Sequence, residues 1–493
     1  MNRLFFSLLL CFSLSLNAQV MDWGAPQKII ARNAYCKFVG HTRNAYYYLR
    51  GKKTDFKSDL ILEKYNRDLV LEWSKPLTLN RYSAVCRGVL LTREGIVVVE
   101  SDENFNTGLT EVGCFTLNES GDVIASYTNL FKVKTSALFN DEDEDRFIVR
   151  QDAAGTSFAV VYILQPERRQ PQTEYNIFSA SGLPLKSGGY VYPLRADPFF
   201  INDAVLEHGH LFILTSYHEN GKRIPDGNYQ HDVIRLSAGS ANAERIPVAL
   251  ENKIQSDVGM YYDTLRNTLQ VTGFYSERKS TSAAGVACYS LPDNSTTVIG
   301  AFSPFPKELL AKIIGERSSE KEKEMEDFVV NKIVPRSDGG LILIAECYYI
   351  ERQPYNTYSS GIQGIGTQQP IVRNVFNYDE VLVFSLSAGT TIDWWQVIPK
   401  KQSTVNDFGF TSSIATLVKK DMLYIFFNLN YHNSNEVMEY TIRNNGKMKN
   451  RILFKSSSYY IEFAPRECSQ ISSGSILMPF AKDHKFNLLK LTY

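Results

Sequence analysis

A single all-β domain, built as a closed ring of repeated sheets, is predicted by three features of the chain. A two-strand unit recurs roughly eight times along it. Aromatic residues reach 12%, with 28 Tyr and 29 Phe, a bias that suits strands. Only one stretch of the 493 residues carries a convincing helical pattern.

The repeated unit is an alternating strand, a Gly/Asn/Ser turn, and a second alternating strand that ends at a Pro or an aromatic. Its clearest copies are DLILEKYNRDLVLEWSKPL from Asp59, EVGCFTLNESGDVIASYTNLF from Glu111 and DEVLVFSLSAGTTIDWWQVIP from Asp379. The turns fall near Asn66, Asn118, Ser181, Ala238, Pro292, Ala388 and Asn444. Most intervals are about fifty to sixty residues, room for four short strands and their turns. A second strand pair precedes most landmarks, as in REGIVVVES from Arg93, HGHLFILTSY from His208, SDGGLILIAECYY from Ser337, KKDMLYIFFNL from Lys419 and SSGSILMPFA from Ser472. The unit is therefore four strands, the size of a β-propeller blade.

The ends predict how the ring closes. PRECSQI, SILMPFA and FNLLKLTY supply three strands at the C-terminus. The segment DWGAPQKII from Asp22 resembles the fourth strand of the other units and completes that blade, which removes an open edge. Eight blades result, with seven as the alternative. Two insertions break the repeat. Residues 307–328 form the one helical stretch, expected as a solvated excursion on one rim. Residues 351–378 read as a long loop rich in Tyr, Gln and Gly, the kind of segment in which binding resides.

Residues 1–18 read as a secretory signal, with Arg3 as the positive start and an apolar run over residues 4–16. That run is short for a membrane span, and the propeller is expected over residues 19–493 with no transmembrane segment. Leu10 before Cys11 argues against a lipoprotein signal. The remaining cysteines, Cys36, Cys86, Cys114, Cys288, Cys347 and Cys468, are widely spaced without CxxC. They read as buried core residues, with one long-range disulfide as the alternative and zinc disfavoured.

Lys plus Arg equals Asp plus Glu, 53 each, so no global field points to nucleic acid. The acidic run at residues 141–145 lacks the glycine and ligand spacing of a calcium loop. His208 and His210 flank Gly209 and read as a surface turn. The other histidines show no HExxH, and GxSxG is absent. The glycines at 361, 364 and 366 lack the helix and Lys-Ser/Thr of a phosphate loop. No carboxylate pair can be nominated for glycoside hydrolysis. Trp394 and Trp395 face opposite sides of one strand, one expected in the core and the other in packing or at the rim. Tyr348, Tyr349, Tyr355, Tyr358 and Tyr378 flank the long loop and are the predicted partner-binding residues.

SDGGLILIAECYY, NYDEVLVFSL, DWWQVIPKKQ and YIFFNLN together resemble an uncharacterised family of exported Bacteroidota propeller-like proteins, most closely over residues 302–493. The Asn-Ala-Gln junction resembles signals of the same phylum. These motifs are structural and bring no catalytic residues with them. The last strand runs to the C-terminus, which leaves no place for a type IX sorting domain and implies a periplasmic or outer-membrane-associated protein. The expected function is a non-enzymatic binding or scaffold propeller, monomeric by itself, with an envelope protein partner and no cofactor. An accessory role in an outer-membrane or type IX secretion assembly is one alternative. A glycan hydrolase is the other.

Overall fold

The computed structural model describes the chain from Gln19 to Tyr493 except residues 29–34, 54–55, 139–146, 165–169, 194–195, 220–228, 241, 250–252, 278–281, 294, 296, 322, 360–366, 432–433, 456–461 and 483–484. Its strands form eight separate antiparallel sheets, each with a path of four strands. The innermost strands of blades 1 to 8 are Tyr35–His41, Val85–Thr92, Phe147–Gln151, Ala196–Glu207, Ile254–Asp263, Phe328–Pro335, Ala415–Lys419 and Ser469–Ser472. Blades 1 to 7 then run outward in chain order.

Alternation along the middle strands explains the ring. In blade 1, Tyr46 and Tyr48 pack toward Leu477, Phe486 and Leu488 of blade 8. Their neighbours Ala45, Tyr47 and Leu49 point the other way, onto Cys86, Ile96 and Val98 of blade 2. In blade 2, Val97 and Val99 turn onto Phe158 and Val160 of blade 3. A strand buried on both faces has no polar side, so these segments read as continuous apolar runs. The cores form a closed series, with one between each pair of neighbouring blades. That closure decides for eight blades over seven.

Blade 8 is completed from the other end of the chain. Val20–Trp23 pairs antiparallel with Lys485–Thr492, Val20 opposite Thr492 and Trp23 opposite Leu489. Gln27–Lys28 continues on the same strand. The closure strand thus begins two residues before the segment predicted for it. Trp23 meets Phe454 of blade 7 edge-on at 5.5 Å and Phe480 of blade 8 at 5.1 Å.

Five of the seven landmark turns, those near Asn66, Asn118, Ser181, Ala388 and Asn444, share one geometry. The Asn118 amide donates to Asp122 O, the Gly121 amide donates to Asn118 O, and Asn118 Oδ1 accepts from the Ser120 and Asp122 amides. Asn66, Ser179 and Ser387 open equivalent turns. The fourth residue is left-handed each time: Leu69, Gly121, Gly182, Thr390 and Gly446 have φ of 62°, 77°, 81°, 65° and 78°. These turns also clasp the preceding blade. Trp73 Nε1 of blade 1 donates to Glu119 O, and Trp394 Nε1 of blade 6 donates to Asn444 O at 2.9 Å. A Cβ on Gly446 would lie 2.9 Å from Trp394 Cγ, whereas one on Gly239 (φ 76°) would meet nothing within 4 Å. Gly446→Ala is therefore expected to cost about 2–3 kcal/mol and Gly239→Ala only about 1, compared by urea unfolding.

Two expectations are revised, those for residues 307–328 and 351–378. Residues 307–328 are two short helices, Lys307–Ile314 and Glu316–Glu320, split at Gly315 (φ 83°). They are not merely solvated, because Leu309 and Met325 are buried in the core between blades 5 and 6 and Met325 bridges Ala283. Trp394 and Trp395 both pack between blades, on the 6/7 and 5/6 cores respectively. Within 351–378, residues 351–359 and 367–378 are strand and not loop: Leu341–Ser359 and Thr367–Leu386 pair, across one bulge, out to Ser359 opposite Thr367. All six described cysteines are free thiols, four of them buried. Among the described residues no helix is long and apolar enough to cross a membrane.

Candidate functional site

The ring has two unlike faces. Turns between first and second strands, and between third and fourth, lie at one end of every blade and span at most six residues. The other end carries the second-to-third turns and the links between blades. Here lie the helical segment, the 399–414 connection and the extended hairpin of blade 6. A rigid ring with its elaboration on one side makes that side the candidate functional face.

The blade 6 hairpin is an arm rising from this face. Its strands bulge between Glu346 and Tyr348, and the Tyr348 amide donates to Asp327 O at 2.8 Å. Gln402–Val405 adds a third strand along Val375–Tyr378. Tyr348 and Tyr378 lie directly opposite one another, with ring centroids 4.8 Å apart. Tyr378 is buried; Lys400 Nζ and the Arg466 guanidinium lie 5.8 and 5.5 Å from its ring. Gly409 (φ 66°) presses on the same ring and leaves no space for a side chain. Of the predicted tyrosines, these two come together. Tyr349 faces the other side and donates to Asp379 Oδ2 at 3.2 Å. Tyr355 and Tyr358 lie farther out on the same strand, opposite Ile371 and Gln368, and their side chains fall outside the described residues.

Register extends the Tyr348–Tyr378 face outward. Ile350 pairs with Phe376 and Pro354 with Val372, all with the parity of Tyr348. Phe408 stacks near Phe376, centroids 5.4 Å apart. Ile350, Val372 and Phe408 are 47%, 58% and 61% exposed, so an apolar strip projects into solvent. Sequence reasoning missed these residues, although the alternation in VRNVFNYDEV was there to be read as a strand.

A buried polar network holds the arm's base. Lys400 Nζ lies 2.7 Å from Glu346 Oε1, both side chains nearly inaccessible, and donates to Tyr378 O and Gln402 Oε1. Glu346 Oε2 accepts from Ser413 Oγ at 2.6 Å and from Asn331 Nδ2 at 3.3 Å. Gln402 and Asn428 carry the network to the Phe463 carbonyl at the entry to blade 8. Burial lowers the Lys400 pKa, and the Glu346 carboxylate opposes that shift.

The second feature of this face is a cavity of about 930 Å³ at the mouth of the channel, lined by the inner strands of blades 1 to 5. Lys37, Arg87 and Arg150 project from blades 1, 2 and 3. Arg87 Nε donates to Ser101 Oγ at 2.8 Å, and its guanidinium lies 5.3 Å from the Phe147 ring. Arg150 pairs with Asp203 at 3.0 Å. On the far wall Ser216 Oγ lies 2.5 Å from Asn202 Oδ1 and 2.8 Å from His231 Nδ1. Asn202 Oδ1 can only accept, so Ser216 donates to it and His231 Nδ1–H donates to Ser216. Burial pulls His231 down to about 4, so its ring is neutral at pH 7.

Asp257 is the one carboxylate among the described lining residues. Burial pushes it up from 3.8 to about 6, while the amide of Val330 donates to it. The folded state then holds a proton that the unfolded state has released, so Asp257 subtracts stability as pH rises from about 4 through 6. Asp257→Asn is expected to gain on the parent over that window, by up to ~2 kcal/mol, in urea titrations at pH 4.5 and 7.5.

The remaining candidates stay apart. His208 and Gly209 form a left-handed turn (φ 51° and 78°), and His210 lies 3.7 Å from Asp293. Residues 141–145 and the glycines of 361–366 lie outside the described residues. Among the described residues no three His, Cys, Asp or Glu side chains are grouped to hold a metal ion.

No family model and no curated protein matches the chain. Solved structures similar to it include the WD40 domain of SCAP from fission yeast, at 7% identity and TM-score 0.41 over 96% of this chain and 98% of that one. The β-propeller domain of the Trilobed protease from Pyrococcus furiosus matches at 9% identity and TM-score 0.36, covering 86% and 96%. The polysaccharide lyase Uly1 matches at 9% and 0.38, covering 94% and 99%. The β-propeller architecture of this chain is shown by its own eight four-stranded sheets.

Proposed function

We propose that the protein is a non-enzymatic binding propeller of the bacterial envelope, which grips a protein partner with the blade 6 arm. The reading rests on one observation: Ile350, Val372 and Phe408 expose an apolar strip on an arm whose base is fixed by buried polar bonds. Such a strip costs solubility unless something covers it, and a fixed base limits the entropy lost on binding. Residues 1–18 serve as the export signal in this reading, and sequencing of the mature N-terminus should begin near Gln19. A glycan hydrolase reading is weaker, because the described channel lining offers Asp257 without a second carboxylate.

The test is a double variant, Ile350→Asp with Phe408→Asp. Both sites are exposed, so its unfolding free energy should stay within about 1 kcal/mol of the parent. Crosslinked and purified from envelope fractions of the native organism, the parent should hold a partner with crosslinks on residues 348–376, and the variant should not. Equal recovery by the variant would reject the arm as the contact.

A further inference from the structure

The channel mouth carries a division of charge that the arm does not use. Three successive inner strands each place a cation on one wall: Lys37, Arg87 and Arg150. The Phe56 ring lies 6.0 Å from Lys37 Nζ, and the Lys37 charge also acts on the Glu467 carboxylate. The opposite wall, from blades 4 and 5, is hydrogen-bonding, with Asn202, Ser216, His231 and Ser256; its one carboxylate, Asp257, accepts from the Val330 amide. His231 is 6% exposed, and its Nε2 has no partner; Ser256 Oγ is likewise buried without one. Aromatic rings lie between the walls, Phe38 and Phe147 on the cationic side, Phe200 and Tyr229 on the other.

We infer that the channel mouth binds a small hydroxylated organic anion of the sugar-acid class. Its carboxylate would lie on the wall of Lys37, Arg87 and Arg150, and its hydroxyls would bond to the wall of Asn202, His231 and Ser256. Each part follows from chemistry on the page. An ammonium and a guanidinium match a carboxylate in charge and hydrogen bonding. His231 Nε2, bare of hydrogen in the tautomer that Ser216 imposes, needs a donor, which a hydroxyl supplies. Aromatic rings accept the apolar faces of a sugar. A cavity of 930 Å³ holds a disaccharide with room for bridging water.

The experiment is isothermal titration of the full mature chain at constant ionic strength, with a uronic-acid disaccharide, the same disaccharide reduced at its carboxyls to primary alcohols, and inorganic phosphate. The acidic disaccharide should bind, and the reduced form should bind at least tenfold more weakly. Lys37→Met and Arg150→Gln each replace a solvent-reaching side chain and should weaken the acidic form at least tenfold without lowering the melting temperature. Partner recovery by the arm should be unchanged in both variants, which separates this site from the arm. No binding of the acidic form, equal binding of the reduced form, tighter binding of phosphate, or undiminished affinity in both variants would overturn the assignment.

Discussion

Replacing Lys400 by alanine is expected to lower the unfolding free energy by about 3–5 kcal/mol. Lys400 and Glu346 form an ion pair at 2.7 Å with side chains only 1% and 2% exposed. The truncation strands a carboxylate that keeps hydrogen bonds from Ser413 and Asn331 but loses its cation. It also leaves the Tyr378 carbonyl and Gln402 Oε1 without the ammonium that joins them. The damage is local in origin, at the arm's base, so protease cleavage within residues 341–386 should accelerate before the whole ring melts. Lys400→Met with Glu346→Leu removes both charges and should recover most of the loss, because a paired charge contributes little net stability over an apolar pair. Urea unfolding of the two variants checks this. A single variant within 1 kcal/mol of the parent would mean the pair is not buried as described.

The second large effect concerns closure. A chain that starts at Ile29 loses Val20–Trp23 and Gln27–Lys28 from blade 8. Ladder bonds to Leu489–Thr492 vanish, together with the Gly24 amide bond to Leu488 O at 2.9 Å. So do the contacts of Trp23 with Phe454 and Phe480. At about 1 kcal/mol net per backbone bond, plus partial burial of one indole, the loss is roughly 5 kcal/mol. The truncation also bares the edge of Lys485–Thr492, a strand with Leu488, Leu489 and Leu491 buried in the parent. An apolar open edge recruits other chains. Gel filtration should therefore show larger species for the truncated chain that are missing from the full mature chain.

The repeat made most of this ring legible. Asn66, Asn118 and Ser181 marked hairpins because a capping side chain and a left-handed residue are needed at fixed offsets in each turn. DWGAPQKII was readable as a fourth strand because it copies the Trp of LEWSKPL and DWWQVIP. Beyond VRNVFNYDEV, the arm was not readable as strand. Its Gln, Gly and Pro content resembles that of loops, and its pairing is set by the rigid strands below it. The tyrosines were chosen as contact residues from composition alone. Burial separates Tyr378, which packs at the base, from the exposed Ile350, Val372 and Phe408 above it. The cavity was invisible because it gathers short stretches of the inner strands of five blades, with Leu49, Ser216 and His231 from strands behind them, at unrelated spacings in the sequence. The Lys400–Glu346 pair was equally hidden: its members lie in different strands' surroundings and share no local motif.

The most direct test of the account places a photo-crosslinking residue at Ile350 on the arm and, separately, at Leu265 in a tight turn of the opposite face, 84% exposed. In the native organism, irradiation should join the Ile350 probe to one reproducible envelope protein and leave the Leu265 probe unlinked. The same adduct from Leu265, or none from Ile350, would contradict a ring that works through its arm-bearing face.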